Sequence, residues 1–344
     1  ILSSSISNIE IENVKVYGPL MVLNHLAQEI NLSETLGDYG DEILSMVYAH
    51  CVEPKSVNQM GRWFEKTDLN HILDLSQVTE GRLLDALDSI NKQDSEKLQQ
   101  KIFEQVKNKY KINTKGILYD VTNTYFYGKK SPWGKRGKSK EKQNDKPLIQ
   151  IGLGVTKEDG IPVFHKTFDG NIHDSKTLHG MIHGFEKFGI KDIFLVYDRG
   201  IPSKDNLEDA KSLNWETICG LPIREDIKKI LKKLLEENEI INVKNRVPLS
   251  KTAMYTLTIK HTIGNVKGKI VVCFNNKMKT AILESRYDEI QSAKLRLEDN
   301  KNIKKGLKKY FDKKGNLKMS EIKKAEEYDG YSCIFSTENI PEDK

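Results

Sequence analysis

Two stretches of this chain carry residue types that do chemistry in pairs. Gly116-Ile117-Leu118-Tyr119-Asp120-Val121-Thr122-Asn123-Thr124-Tyr125 runs apolar up to a carboxylate, then places Thr122 and Thr124 at two-residue spacing. Phe194-Leu195-Val196-Tyr197-Asp198-Arg199-Gly200 repeats the plan: an apolar strand, a carboxylate, then a glycine where the chain turns. One aspartate at a strand end is commonly a turn former or a cap. Two that converge repel each other unless a cation sits between them. Mg2+ suits such a pair, because it takes hard oxygen ligands and needs few protein carboxylates. Two such ions ~3.5–4 Å apart activate a water or a 3′-hydroxyl and stabilise the leaving oxygen of a phosphodiester, with no side chain as general base. Asp120 and Asp198 are therefore the candidate catalytic and metal-ligating residues.

The elements around them must bring the two acids together. From residue 116 the hydrophobic period changes from that of helices to that of strands. A strand ending near Asp120 is followed by strands over Leu148–Val155 and Ile161–Phe168, joined through Lys157-Glu158-Asp159-Gly160, where Asp-Gly signals a hairpin. A helix over about 175–188, a strand ending at Asp198, a helix capped by Ser203 and a strand over Trp215–Leu221 complete the run. Three hairpin-linked strands and a right-handed crossover give a mixed sheet in which the fourth strand lies parallel to the first. The two acids are then neighbours.

Before residue 112 the pattern is helical. Pro19 opens a helix whose apolar face is Leu20, Leu23, Leu26 and Ile30, and helices follow over Ile43–Cys51, from Met60, through Leu83–Ile90 and along Leu98, Ile102, Val106 and Tyr110. Ser56-Val57-Asn58-Gln59 has capping-box spacing, and Ile9, Ile11, Val14 and Val16 alternate as a short strand. Such a module is expected to bind DNA through a helix-turn-helix-like element; a packing or dimerisation role fits the same pattern. Residues 223–327 add a Lys-rich helix around Ile227–Leu234, strands over Tyr255–Ile259 and Lys269–Phe274, a long charged helix over about 277–300 and a Lys-rich segment. A strand around 329–337 returns to the sheet. The expected organisation is a mostly helical DNA-binding domain (1–112), the first part of a core (113–222), a basic α+β insertion (223–327) and the core's return strand (328–344).

Composition sets the bounds. The chain has 344 residues, 38% of them apolar and 30% charged, with a net charge of +6. The cations are unevenly placed. Lys129, Lys130, Lys135, Arg136, Lys138 and Lys140 crowd the loop after Asp120, with Trp133 and Tyr125 nearby to stack on bases. A solvated loop and an electrostatic footprint for phosphates are the two readings of such a cluster. Cys51, Cys219, Cys273 and Cys333 are scattered without C-x-x-C spacing, which argues against a zinc ribbon or a disulfide framework and for a reducing interior. No apolar run reaches the ~20 residues of a membrane span, and the N-terminus has no secretion signal. These features place the chain in the cytoplasm. It starts without Met and reads as a possible fragment. The histidines form no H-E-x-x-H, and His173 reads as a helix-start residue rather than a ligand.

Ile117 to Thr124, Gly170-Asn171 with Asp174 just after it, and Phe194 to Gly200 together resemble the DDE transposases of the insertion-sequence-four superfamily. The similarity extends through the helical N-terminal region, the basic insertion and the Asp329-Gly330 strand. It implies a ribonuclease H-like mixed sheet, Mg2+ or Mn2+, and cut-and-paste movement of a DNA element bounded by terminal inverted repeats. The double-stranded DNA partners are those repeats and the target, and two ends brought together suggest a homodimer. By matching position, Asp120 and Asp198 are the first two acids of the family's triad. The third is a Glu on a helix after the return strand, and nothing after Thr337 has its pattern: Glu338 and Glu342, around Pro341, read as loop residues. The chain as given is therefore expected to transpose weakly or not at all. Two other readings stand beside this one. One is a DNA-binding remnant that occupies transposon ends without cutting. The other is a phosphoaspartyl hydrolase with Asp120 as nucleophile, suggested by Asp120-Val121-Thr122-Asn123-Thr124 but opposed by the basic loop and hairpin that follow.

Overall fold

The computed structural model describes residues 14–92, 94–127, 131–137, 140, 145–191, 193–248, 252–299 and 301–337. They form two compact units. One comprises residues up to Thr114 together with Leu153–His165 and Gly184–Gly189; the other comprises Lys115–Gly152, Lys166–His183 and everything from Ile190. The expected four segments thus fall into two bodies, whose boundary passes through a hairpin and a helix of the core.

The first unit is mostly helical: α1 (Gly18–Glu29), α2 (Leu32–Leu36), α3 (Gly40–Val52), α4 (Met60–Glu65), α5 (Glu80–Lys92) and α6 (Ser95–Tyr110). Their apolar stripes close on one core containing Leu20, Leu44, Tyr48, Met60, Trp63, Leu69, Leu83 and Ala86. Glu42 is buried within it and is neutralised by Arg82. One local expectation fails here. Ser56 makes no backbone cap: its hydroxyl bonds the Asn58 side chain, and a 3-10 turn over Val57–Gln59 leads into α4. Of the expected strand over 9–16, residues 9–13 lie outside the described residues, and Val16 makes an isolated bridge to Thr67.

Most of one sheet lies in the second unit. In chain order its strands are β1 (Gly116–Tyr125), β2 (Leu148–Thr156), β3 (Pro162–Asp169), β4 (Phe194–Tyr197), β5 (Glu216–Leu221), β6 (Arg246–Pro248), β7 (Ala253–Ile263), β8 (Val266–Phe274) and β9 (Tyr331–Thr337). They lie in the order β3-β2-β1-β4-β5-β9-β8-β7-β6. β4 runs parallel to both β1 and β5, whereas β9 is antiparallel to β5 and β8. The helices are α7 (Asp174–Lys187), α8 (Lys204–Ser212), α9 (Glu225–Glu237), α10 (Asn276–Glu298) and α11 (Met319–Glu326). Asp159-Gly160 makes the expected turn, with Gly160 at φ +67°, and Ser203 caps α8 by accepting the Asn206 N–H.

Three features depart from the expected layout. β1 does not end near Asp120 but runs five residues further, to Tyr125, because its pairing with β2 continues after its pairing with β4 stops at Tyr119. The strands of the 223–327 segment do not stand apart: β6, β7 and β8 extend the core sheet through β9. Asp329 and Gly330 precede β9 rather than joining it. Asp329 is buried and accepts from the Nη1 and Nη2 groups of Arg286 on α10, while Gly330 turns the chain at φ +81°.

Within the first unit, Phe164 packs against Phe185 and Phe188, at ring distances of 6.1 and 5.0 Å, over Gly184. A Cβ on Gly184 would stand 2.1 Å from the Phe164 ring, and the ring is buried. Gly184→Ala should therefore lower the unfolding midpoint in urea, by the ~1–3 kcal/mol typical of an overpacked core.

Candidate active site

The register between β1 and β4 decides the site. Gly116, Ile117, Leu118 and Tyr119 pair with Phe194, Leu195, Val196 and Tyr197. Asp120 and Asp198 are the next residues on the two parallel strands, so they lie level, about one strand spacing (~4.8 Å) apart. Ile117, Tyr119 and Val121 are buried, as are Leu195 and Tyr197; side chains alternate, so both acids project to the opposite face, where they are exposed. Each carboxylate accepts the next residue's N–H through Oδ1, Val121 to Asp120 and Arg199 to Asp198, both at 2.7 Å. Oδ2 of each makes no hydrogen bond among the described residues.

The buried face is held by a short relay. The Tyr119 hydroxyl donates to Thr177 Oγ1 at 2.7 Å, and that hydroxyl donates to the carbonyl of Asp174 at 2.6 Å. The relay ties the first turn of α7 to the strand beneath Asp120. Burial is the main cause that pushes the Tyr119 phenol well above its ordinary value, with the charges of Asp174 and Asp120 adding to it. The phenol therefore stays a neutral donor. Burial does the same to Tyr197, whose polar neighbour is the thiol of Cys219, itself pushed up to about 12. The residues immediately before both acids are thus buried and stay neutral.

The Gly170-Asn171 motif has a steric cause. A Cβ on Gly170 would lie 1.9 Å from the Leu148 carbonyl, and one on Gly137 would lie 2.1 Å from the Gly170 carbonyl. The 131–137 segment packs on this turn, with the Gly170 N–H donating to Trp133 O at 3.2 Å. Asp174 follows, and its Oδ2 would lie 3.6 Å from a Cβ on Gly200, beside the turn after Asp198. A cavity of about 480 Å3 includes Asn123, Arg136, Lys140, Asp174 and Gly200; another, of about 540 Å3, includes Asp198, Arg199, Val196, Ile218 and Ile334. In the sequence Asp174 stands out only as part of a motif. Its closeness to the Asp198 turn comes from the crossover through α7, which spacing alone does not reveal.

Of the basic loop, Lys135, Arg136 and Lys140 are described and exposed; Lys129, Lys130 and Lys138 lie outside the described residues. Lys140 is anchored to β1: its N–H donates to Asn123 Oδ1 at 3.0 Å and its Nζ to Val121 O. Trp133 is 49% exposed, whereas Tyr125 sits edge-on to Tyr127 with Lys146 Nζ 4.4 Å from its ring centre. Glu338 and Glu342 also lie outside the described residues. Among the described residues no three His, Cys, Asp or Glu side chains gather to hold a metal, and no helix is long and apolar enough to cross a membrane.

The strand order β3-β2-β1-β4-β5, with β1, β4 and β5 parallel, is that of a ribonuclease H-like core. The chain belongs to the transposase DDE domain family, whose pattern matches residues 112–296, more than half of its length. No curated protein matches it. Among solved structures, it is similar to a piggyBac transposase synaptic complex with hairpin DNA, at 8% identity and a TM-score of 0.42, covering 95% of this chain and 62% of that one. It is also similar to a Mos1 transposase paired-end complex with left transposon end, at 10% identity and a TM-score of 0.22, covering 57% and 70% of the two chains. A Mos1 mariner paired end complex with Mn has 10% identity and a TM-score of 0.21, with coverage of 58% and 72%. At these scores the likenesses identify nothing beyond the family match.

The relay makes its own prediction. Tyr119→Phe removes one buried hydrogen bond while Thr177 keeps its bond to Asp174, so stability should fall by about 1 kcal/mol in urea unfolding. A loss of several kcal/mol would mean that α7 is held in some other way.

Proposed function

We propose that this chain is the DNA-processing part of a transposase of the insertion-sequence-four-like group, cutting and rejoining phosphodiester bonds at the ends of a mobile element. The observation that carries the reading is the level placement of Asp120 and Asp198 at the ends of two parallel strands, in a chain of the transposase DDE family. In this reading both are catalytic residues and metal ligands. Their two carboxylates, each with one oxygen fixed by a backbone N–H and the other without a hydrogen bond among the described residues, fit a hard, oxygen-preferring divalent cation, Mg2+ or Mn2+. Bound there, the cation supplies Lewis-acid activation of a water or 3′-hydroxyl and stabilises the leaving oxygen.

The chain's own residues bind and orient. Lys135, Arg136 and Lys140 face DNA phosphates next to the acids, and the anchoring of Lys140 to β1 fixes one of these charges relative to Asp120. The helical domain, residues 1–112, grips the terminal inverted repeats; the 113–222 and 328–344 segments supply the core, and 223–327 the basic insertion. Two copies of the chain hold the two ends of the element, with target DNA as the further partner, in the cytoplasm at the nucleoid.

A second reading, a protein that occupies transposon ends without cutting them, is favoured by one observation: no third acid joins the pair among the described residues. One experiment separates the two. With its own terminal repeats as duplex substrate, the enzyme reading expects Mg2+- or Mn2+-dependent nicking that Asp120→Ala and Asp198→Ala each abolish. Nicking retained in either variant sinks the assignment of that residue; DNA binding without nicking in any metal favours the second reading.

The metal assignment is tested without turnover. Without divalent cation, Asp120→Asn and Asp198→Asn should each unfold at or above the parent's midpoint, because one of two repelling charges is gone. Addition of Mg2+ or Mn2+ should raise the parent's midpoint and leave both variants' unchanged. An equal rise in all three would place the ion elsewhere.

A further inference from the structure

The excursion between β8 and β9 carries a concentration of charge that the candidate site does not use. Residues 301–324 contain ten lysines against two acids, Asp312 and Glu321. Both acids are consumed inside the segment. Asp312 accepts the N–H groups of Lys314 and Asn316 and the Asn316 side chain, and these bonds hold its carboxyl below the usual range. Glu321 pairs with Lys324 at 2.9 Å. Lys301 and Lys304 find Asp299 and Glu289. The other seven lysines, among them Lys305, Lys308, Lys313, Lys314 and Lys323, make no ion pair among the described residues, and these five are exposed. Like charges held this close oppose the folded state unless a partner neutralises them.

The segment is built, not merely solvated. It has its own small core of Ile290, Ala293, Tyr310, Phe311 and Ile322, with Leu297, Ile303, Leu307 and Ala325 packed on it. The Asp312 turn, with Gly315 at φ +85°, sets Lys313 and Lys314 at its tip. The Arg286–Asp329 pair pins its return to the sheet beside α10.

Topology places it. β9 is antiparallel to β5 and β8 is antiparallel to β9, so β8 ends and β9 begins at the edge where β1, β4 and β5 end. Phe274 and Tyr331 are register partners at that edge, and the whole excursion leaves and returns there. This is the edge that carries Asp120 and Asp198. β9 lies two strands from β4, roughly 10 Å across the sheet.

We propose that the excursion over residues 301–324 is a sequence-independent clamp for the phosphate backbone of duplex DNA lying along this edge. The inference rests on the reading above that DNA is the substrate. The residue type sets the mode of binding: the segment has lysines and no arginine, so it offers point charges for phosphates and no planar fork for a base edge. A membrane surface needs a continuous apolar face beside the cations, and here the apolar side chains are turned into the small core, with Leu317 and Met319 exposed at separate points.

The test uses the full chain and a variant carrying Lys305→Gln, Lys308→Gln, Lys313→Gln and Lys314→Gln. Binding to two duplexes of unrelated sequence is measured across a salt series, with the unfolding midpoint as the check on folding. The clamp expects the slope of log affinity against log salt to become shallower by ~3–4, about one for each phosphate that the variant no longer neutralises. Both duplexes should weaken by the same factor, at an unchanged midpoint. An unchanged slope in a folded variant, or weakening for one duplex alone, overturns the clamp and leaves the DNA reading standing. Failure of the parent to bind either duplex, or its preference for anionic lipid vesicles, overturns both.

Discussion

Everything at the candidate site depends on the parallel register of β1 on β4. Side chains alternate along a strand, so a slip of one residue would turn Asp198 to the face that holds the Tyr197 ring and leave Asp120 alone. The pairing of Tyr119 with Tyr197 prevents this. Both rings are buried on one face, and exposing either would cost more than any gain at the acids. The core therefore sets the position of the polar pair: two apolar strands find their register by what they bury, and the carboxylates are carried to the opposite face as a consequence.

Around that register the structure adds fixed points rather than a closed cage. Tyr119, Thr177 and the Asp174 carbonyl join the strand to the start of α7, and Lys140 joins the basic loop to the strand two residues past Val121. Gly170 and Gly137 let two turns approach within distances that no side chain allows. What results is an open edge with two acids, Asp174 beside the turn that follows the second, and cations on the neighbouring loop. Such an edge has charges of both signs, carboxylates at the strand ends and lysines and an arginine on the neighbouring loop.

The insertion follows the same plan at larger scale. Its strands continue the sheet from β5 through β9, so the excursion that holds the Lys-rich segment starts and ends on the edge that carries the acids. Antiparallel pairing makes this unavoidable: once β9 pairs with β5 and β8 with β9, the chain between them has to emerge where the parallel strands end. Asp329 and Arg286 complete the arrangement with a buried pair, costly to form and costly to break, at the point of return.

The sequence by itself determined the type of the elements that surround the two acids. Two-residue alternation around Ile117–Tyr119 and Leu195–Tyr197, the Asp159-Gly160 turn and the Ser203 cap are local signals, and each led to the element that forms. The rule of right-handed crossovers was enough to set Asp120 beside Asp198. Only the tertiary structure decided the rest. That β1 continues to Tyr125 depends on β2 pairing along its other edge. That Asp174 comes beside the Asp198 turn depends on where α7 lands. That β6 to β8 extend the core sheet, and so carry the lysines of 301–324 to the edge that holds the acids, depends on hydrogen bonds between strands far apart in the chain. Periodicity reports which way a side chain faces; which strand lies alongside is settled by burial and pairing over long sequence distances, and no local pattern encodes it.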